Sequence, residues 1–148
     1  MTIDDTTLAN ATKHLSAEEG RVKAAYQDHL GYWTIGIGRL IDARKGGGLS
    51  NDEIDFLLAN DIEKCVRAMS DWPAWQAVKD DPVRATALIS MCFQLGSAGL
   101  AGFRNTLAKV AAHDWGAAAQ GMLASKWAQQ TPARAKRVAA MMRTGVMA

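Results

Sequence analysis

The sequence is poor in the residues that build metal sites and covalent frameworks. Its 148 residues include two cysteines and three histidines. Cys65 and Cys92 each fall inside an apolar helical pattern, which reads as reduced core thiols rather than a disulfide or metal site. His14, His29 and His113 are scattered without zinc-ligand spacing, which argues against a zinc amidase. No metal and no cofactor is therefore expected. No apolar run approaches the roughly 20 residues that span a bilayer, so stable membrane insertion is not expected. The opening Met1-Thr2-Ile3-Asp4-Asp5 is acidic and lacks the basic and apolar regions of a secretory signal. The expectation is accumulation in the cytoplasm, with another factor needed to cross a membrane. Internal repeats and low-complexity segments are absent as well.

What is present is ordinary globular material. An apolar fraction of 49% over 148 residues suits one domain with a sizeable core. The charge is unevenly spread. Residues 1–74 carry 8 basic and 12 acidic residues, and residues 75–148 carry 9 and 3, so a net −4 faces a net +6. Such a bipolar chain suits contact with an anionic polymer, either cell envelope or nucleic acid.

Residues 6–18 predict a helix with Leu8, Ala11, Leu15 and Glu18 on one face, Thr6 or Thr7 as cap, and Gly20 just past its end. A glycine-punctuated β region follows, with Tyr26 at its start, Asp28-His29-Leu30-Gly31 as a turn, and Tyr32 to Ile37 as strand. Gly46-Gly47-Gly48 closes it. Ser50 and Glu53 have capping-box spacing at the start of a long helix. There Ile54, Leu57, Leu58, Ile62, Cys65, Val66 and Met69 predict one buried stripe. Pro73 and Pro82 mark new helix starts. Val83 to Leu95 is apolar nearly all round, as in a central core helix, and Gly96, Gly99 and Gly102 break it. Shorter helices are expected around 103–112, 115–123 and 133–142, with Pro132 in the first turn of the last. The fold class is α+β, mainly α. A small β lobe near 20–48 and a helical lobe from about 72, with the N-terminal helix, are joined by a helix near 50–70, leaving a cleft between lobes.

Two carboxylates stand out. Glu19 ends the first helix beside Glu18, near the negative end of the helix dipole. Both effects favour its protonated form, as a general acid requires. Asp28 lies in a turn where it can be solvated and ionised. Two carboxyls in contrasting environments match the division of labour in glycoside hydrolysis. The bland alternative is a surface helix residue and a turn former. Thr34, within Tyr32-Trp33-Thr34-Ile35-Gly36-Ile37-Gly38, offers a hydroxyl to hold a water, and the alternating glycines permit close backbone approach.

These residues carry a resemblance. The chain resembles the phage-type lysozymes, or endolysins, of glycoside hydrolase family 24. The likeness runs through Glu19-Gly20, Tyr26, Asp28, Gly31-Tyr32 and Thr34 to Gly38. It resumes at Leu88-Ile89, Phe93-Gln94-Leu95-Gly96, Gly99 to Phe103 and Asn105. It closes at Ser125-Lys126-Trp127, Gln130-Thr131-Pro132, Arg134 to Val138 and Arg143-Thr144-Gly145. The resemblance implies a lysozyme-like fold and a muramidase acting on peptidoglycan glycan strands. It implies Glu19 as the acid, Asp28 as the carboxylate that activates water or stabilises the transition state, and Thr34 as the residue that positions that water, with inversion expected. It places Leu40, Phe93, Gln94 and Thr106 along the saccharide, and Arg134 near the catalytic Glu, where it would oppose protonation. It also implies a monomer made in the host cytoplasm and released to the cell wall with the help of a factor such as a holin.

The basic cluster Arg134, Lys136, Arg137 and Arg143 reads as a solvated helix face or as a contact for the anionic envelope. Nucleic-acid binding would leave the β segment unexplained and is not expected. The competing readings are a catalytically inert wall-binding relative, which would be expected to lose Glu19, Asp28 or Thr34, and a lytic transglycosylase, which needs only one acid. Five tryptophans offer either core or sugar-stacking surface.

The chain also departs from the family pattern. Arg39 stands where close relatives of the best-known member carry His, the segment before Ser50 is short and glycine-rich, and Gly121 replaces a saccharide-contacting Asn. The family's His pairs with an Asp whose counterpart here is Asp61, so an Arg39–Asp61 ion pair is expected.

Overall fold

The computed structural model describes residues 4–37, 39–40 and 48–148. These form two compact units, 1–56 and 57–148.

In the first unit, helix α1 spans Asp5–Glu19. It starts one residue before the sequence predicts, because the Leu8 amide already donates to the Asp4 carbonyl at 3.0 Å. Thr6 therefore sits inside the first turn rather than capping it. Leu8 and Leu15 are about half exposed. Gly20 ends the helix with φ +75°, and its amide closes the last turn on the Ser16 carbonyl at 3.1 Å. That left-handed conformation is what glycine supplies at a helix end.

The chain then enters an antiparallel sheet of β1 (Val22–Gln27), β2 (Trp33–Gly36) and β3 (Arg39–Leu40), in that order. β1 begins four residues before Tyr26, earlier than the sequence predicts. Its pairing with β2 is irregular between Val22 and Tyr26, so the first half of the strand lacks the regular alternation that marks strands in sequence. Gly46 and Gly47, read as the end of this region, lie outside the described residues.

Helix α2 spans Asn51–Met69, and its start is the capping box the sequence predicts. The Ser50 amide donates to Glu53 Oε2 at 2.9 Å, and the Glu53 amide donates to Ser50 Oγ at 3.3 Å. The buried stripe is shorter than expected. Cys65 and Met69 join the core, whereas Ile54, Leu57, Leu58 and Ile62 remain 36–47% exposed. Periodicity marks which face is apolar; burial of that face reaches only the last turns, where the helix enters the second unit's core.

The second unit continues with α3 (Pro73–Val78), α4 (Pro82–Ala101), α5 (Arg104–Ala111), α6 (Trp115–Leu123), α7 (Lys126–Gln130) and α8 (Pro132–Thr144). Each of the three prolines occupies the first turn of a helix, where its missing N–H costs nothing. Side chains of Asp81, Asp114 and Ser125 accept amides at the starts of α4, α6 and α7. The core holds fully buried Met69, Val78, Leu88, Met91, Leu100, Val110, Met122 and Met142. Four of these eight are methionines, whose flexible, unbranched side chains fill irregular core space.

α4 kinks at Gly96, with φ 74° and ψ 162°, and runs on to Ala101. The helix thus breaks at one of the three expected glycines, continues through Gly99, and stops at Gly102. With 20 residues it is long and apolar enough to cross a bilayer, which corrects the expectation that no apolar run approaches that length. Ala85, Ala87, Leu88, Met91, Cys92 and Leu100 on it are buried, which makes it the unit's core helix.

Candidate active site

The sheet register gathers the first set of expected residues. Tyr26 pairs with Thr34, and Thr34 pairs with Leu40. Directly paired residues project from the same face of a sheet. Tyr26, Thr34 and Leu40 therefore line one wall of a cavity of about 760 Å³, completed by Glu19, Gln27, Asp28, His29, Leu30 and Tyr32. Glu19 arrives as the last residue of α1 and is exposed. Asp28 arrives from the β1–β2 turn. Glu19, Asp28, Thr34 and Leu40, far apart in their local patterns, thus share one cavity built wholly within the first unit.

The turn itself holds Asp28. Its amide donates to the Tyr32 carbonyl and its carbonyl accepts from Gly31, both at 2.9 Å. Carboxylate oxygen Oδ1 accepts the amides of both Leu30 and Tyr32, each at 2.9 Å. The Tyr32 amide above all, with the Leu30 amide and His29 nearby, holds the Asp28 carboxyl below the usual aspartate range. Amides aimed at a carboxylate favour its charged form. Both of these amides go to Oδ1. Thr34 is 5% exposed, and its hydroxyl donates to the Tyr32 carbonyl at 3.2 Å. With its proton so engaged, Thr34 Oγ1 acts toward a third group as an acceptor.

The remaining expected residues lie in the second unit. Phe93 is 46% exposed. Gln94 Oε1 accepts the indole N–H of Trp127 at 2.9 Å, so the amide is anchored by a residue the sequence reading did not single out for that task. Thr106 is buried, at 7% exposure, and a Cβ added at Gly121 would lie 2.4 Å from its Oγ1. The side chain of Thr106 occupies the space that Gly121 leaves. Arg134 Nη2 donates to both the carbonyl and the hydroxyl of Ser90 at 3.0 Å. Lys136, Arg137 and Arg143 are exposed on α8.

Arg39 does not pair with Asp61. Its guanidinium bonds Glu53 Oε1 through Nε at 2.8 Å and through Nη2, while Asp61 takes Lys64 at 3.2 Å. Glu53 is already oriented by the Ser50 amide, which leaves Oε1 as a fixed acceptor for β3. The Ser50 amide first, then Arg39, hold the Glu53 carboxyl below its usual range. Among the tryptophans, Trp75 and Trp127 are core residues and Trp72 and Trp115 pack against the core, which favours packing over sugar stacking for these four. The cavity residues that sequence reasoning left unassigned are Tyr26, Gln27, His29, Leu30 and Tyr32. The period-two alternation of Tyr26 and Thr34 across a tight turn was the available signal.

Comparison with known proteins gives a consistent result. Residues 16–143 match the family described as phage lysozyme. The chain is 27% identical over 158 residues to a probable T4-type lysozyme 1 of Dictyostelium discoideum, covering 90% of this chain and 93% of that protein. A second such protein there is 26% identical with the same coverage. The pre-baseplate central spike protein Gp5 of Enterobacteria phage T4 is 31% identical over 168 residues, spanning 96% of this chain and 29% of that longer protein.

Proposed function

Because the chain belongs to the phage lysozyme family, and is thus a glycoside hydrolase of lysozyme type, we propose that it cuts one defined bond: the β-1,4 link between N-acetylmuramic acid and N-acetylglucosamine in peptidoglycan. The observation that carries this reading is the convergence of Glu19, Asp28 and Thr34 on one cavity, with Asp28 held as an anion by backbone amides.

Glu19 donates its proton to the glycosidic oxygen as the C1–O bond breaks. Positive charge grows on the sugar, and ionised Asp28 opposes it. A water lies between Asp28 Oδ2 and Thr34 Oγ1, donating one hydrogen to each acceptor. Its lone pair then faces the anomeric carbon, and Asp28 takes the proton as the new C–O bond forms. Attack on the face opposite the leaving group inverts the anomeric centre. That geometry needs carboxyls roughly 6.5–9.5 Å apart, against about 5 Å for a nucleophilic carboxylate. Leu40, Phe93, Gln94, Thr106 and Arg134 are proposed saccharide contacts, with Gln94 pre-set by Trp127. The exposed basic residues of α8 suit the anionic envelope. In this reading the protein works as a monomer in host lysis, is made in the host cytoplasm, and reaches the wall with the help of a membrane-permeabilising partner. The likeness to a phage spike protein supports the alternative that the domain acts from a virion.

The test is digestion of purified peptidoglycan, with mass spectrometry and proton NMR of the first products. New reducing muramic ends, initially of α configuration, are expected. Anhydro-muramic products would replace this reading with a lytic transglycosylase, and retained β configuration would assign Asp28 as nucleophile. No product from several walls would favour the inert wall-binding relative.

A further inference from the structure

The two cysteines take no part in the proposed chemistry, yet the structure sets them side by side. Cys65 lies on α2 and Cys92 on α4, both buried in the second unit's core. The Cys65 thiol lies near enough to raise that of Cys92, and both residues belong to one buried cluster. Both reach the wall of a cavity of about 360 Å³ that Asp61, Lys64, Phe93 and Ser97 also line. Sequence patterning reads them as independent core thiols, because residues from two helices separated by a third show no sequence sign of meeting.

We propose that Cys65 and Cys92 are a redox-convertible pair, a modification site at which a small-molecule disulfide oxidises the two thiols to an intramolecular bond tying α2 to α4. The step balances without any group from the glycosidase reaction. The Cys65 thiolate attacks one sulfur of the external disulfide and expels one thiolate, giving a mixed disulfide on Cys65. The Cys92 thiolate then attacks Cys65 Sγ, forms the internal bond and expels the second thiolate. The two cysteines lose two protons and two electrons, and the external disulfide gains them as two thiols.

The order of attack follows from the surroundings. Cys65 is 9% exposed and Cys92 3%, so an external reagent meets Cys65 first. Burial above all, and then the neighbouring Cys65, push the Cys92 thiol up to about 12, which suppresses its thiolate and its direct reaction with the reagent. Cys92 is thus the resolving thiol. Cys92 precedes Phe93 and Gln94 on α4, so the bond would fix the backbone beside two proposed saccharide contacts.

The experiment treats the folded full chain with oxidised glutathione at mildly alkaline pH. The sample is quenched in acid, alkylated after denaturation, and measured by intact mass and peptide mapping. The expected product is monomeric, lacks both free thiols, is two hydrogens lighter, contains a linked Cys65–Cys92 peptide pair, and reverts with dithiothreitol. Cys92→Ala should stop at one glutathione on Cys65. If that variant fails to fold, Cys92→Val makes the same test, and the wild-type masses stand alone. Two alkylatable thiols after treatment, glutathione persisting on wild-type Cys65, or oxidation only as a dimer would each overturn the proposal.

Discussion

Replacing Arg84 with Ala should cost the protein about 3 kcal/mol. The side chain is 16% exposed. Its Nη1 meets Asp81 Oδ2 at 2.7 Å, its Nε donates to the Met142 carbonyl at 2.8 Å, and its Nη2 reaches the Arg143 carbonyl at 3.3 Å. The guanidinium lies 4.5 Å from the ring centroid of Trp115. One residue thus ties the start of α4 to the end of α8, whose last carbonyls have no partner within the helix. The two short charge-assisted bonds contribute about 1.5–3 kcal/mol each, and the ring contact about 1 kcal/mol. Freeing the arginine returns about 2 kcal/mol of rotamer entropy, and water recovers part of the loss at Asp81 and the α8 terminus. The remainder, about 3 kcal/mol, corresponds to a fall in melting temperature of about 6–12 °C at this chain length. The penalty should also depend on pH. Arg84 is the largest cause holding the Asp81 carboxyl below its usual range. That stabilisation is present above the unfolded value of about 3.9 and is lost as pH falls through the lower folded value. Melting followed by circular dichroism at neutral and acid pH reads both effects. Arg84→Lys should fall in between, since it keeps the charge but loses the fork to α8. A shift below about 2 °C for Arg84→Ala, or a Lys variant matching wild type, would refute the argument.

Gly121→Ala would ordinarily stabilise a helix interior by about 1 kcal/mol; here the clash with Thr106 Oγ1 should reverse the sign, at about 1–3 kcal/mol of overpacking. Urea unfolding should show destabilisation in the wild-type background and a gain when Thr106→Ala is also present. Glu19→Gln should reduce turnover by about 10²–10⁴ if Glu19 is the acid, with an unchanged melting curve because the side chain is exposed; near wild-type clearing of cell walls would remove Glu19 from that role. For Glu53, an NMR carboxyl titration should show protonation below the usual range. Its contribution to stability should persist above the unfolded value of about 4.3 and fade as pH drops through the folded one. Arg39→Gln should raise that midpoint only partly, because the Ser50 amide is the larger cause.

What the sequence made legible was chiefly local chemistry. Gly20, the Ser50–Glu53 box and the three prolines each satisfy a rule that acts within four residues, and each helix boundary they mark appears close to its expected place. The short α7 was missed because Lys126–Gln130 is too brief to show a period, although Ser125 caps it. Thr34 and Leu40 meet beside Tyr26 because the pairings of β1 with β2 and of β2 with β3 place all three on one face.

Arg39 shows where this kind of reading gives out. A relative's His–Asp pair suggests Asp61 as its partner, and nothing in the spacing of residues 39, 53 and 61 decides between the two carboxylates. Physical chemistry decides between them. Glu53 is held by the Ser50 amide in one orientation, so the guanidinium gains a pre-ordered acceptor and little further side-chain entropy is spent. Asp61 already has Lys64 at i+3 on its own helix, and an exposed pair of that kind is worth little either way. Arg39 therefore ties β3 to the first turn of α2, through the carboxylate that caps it.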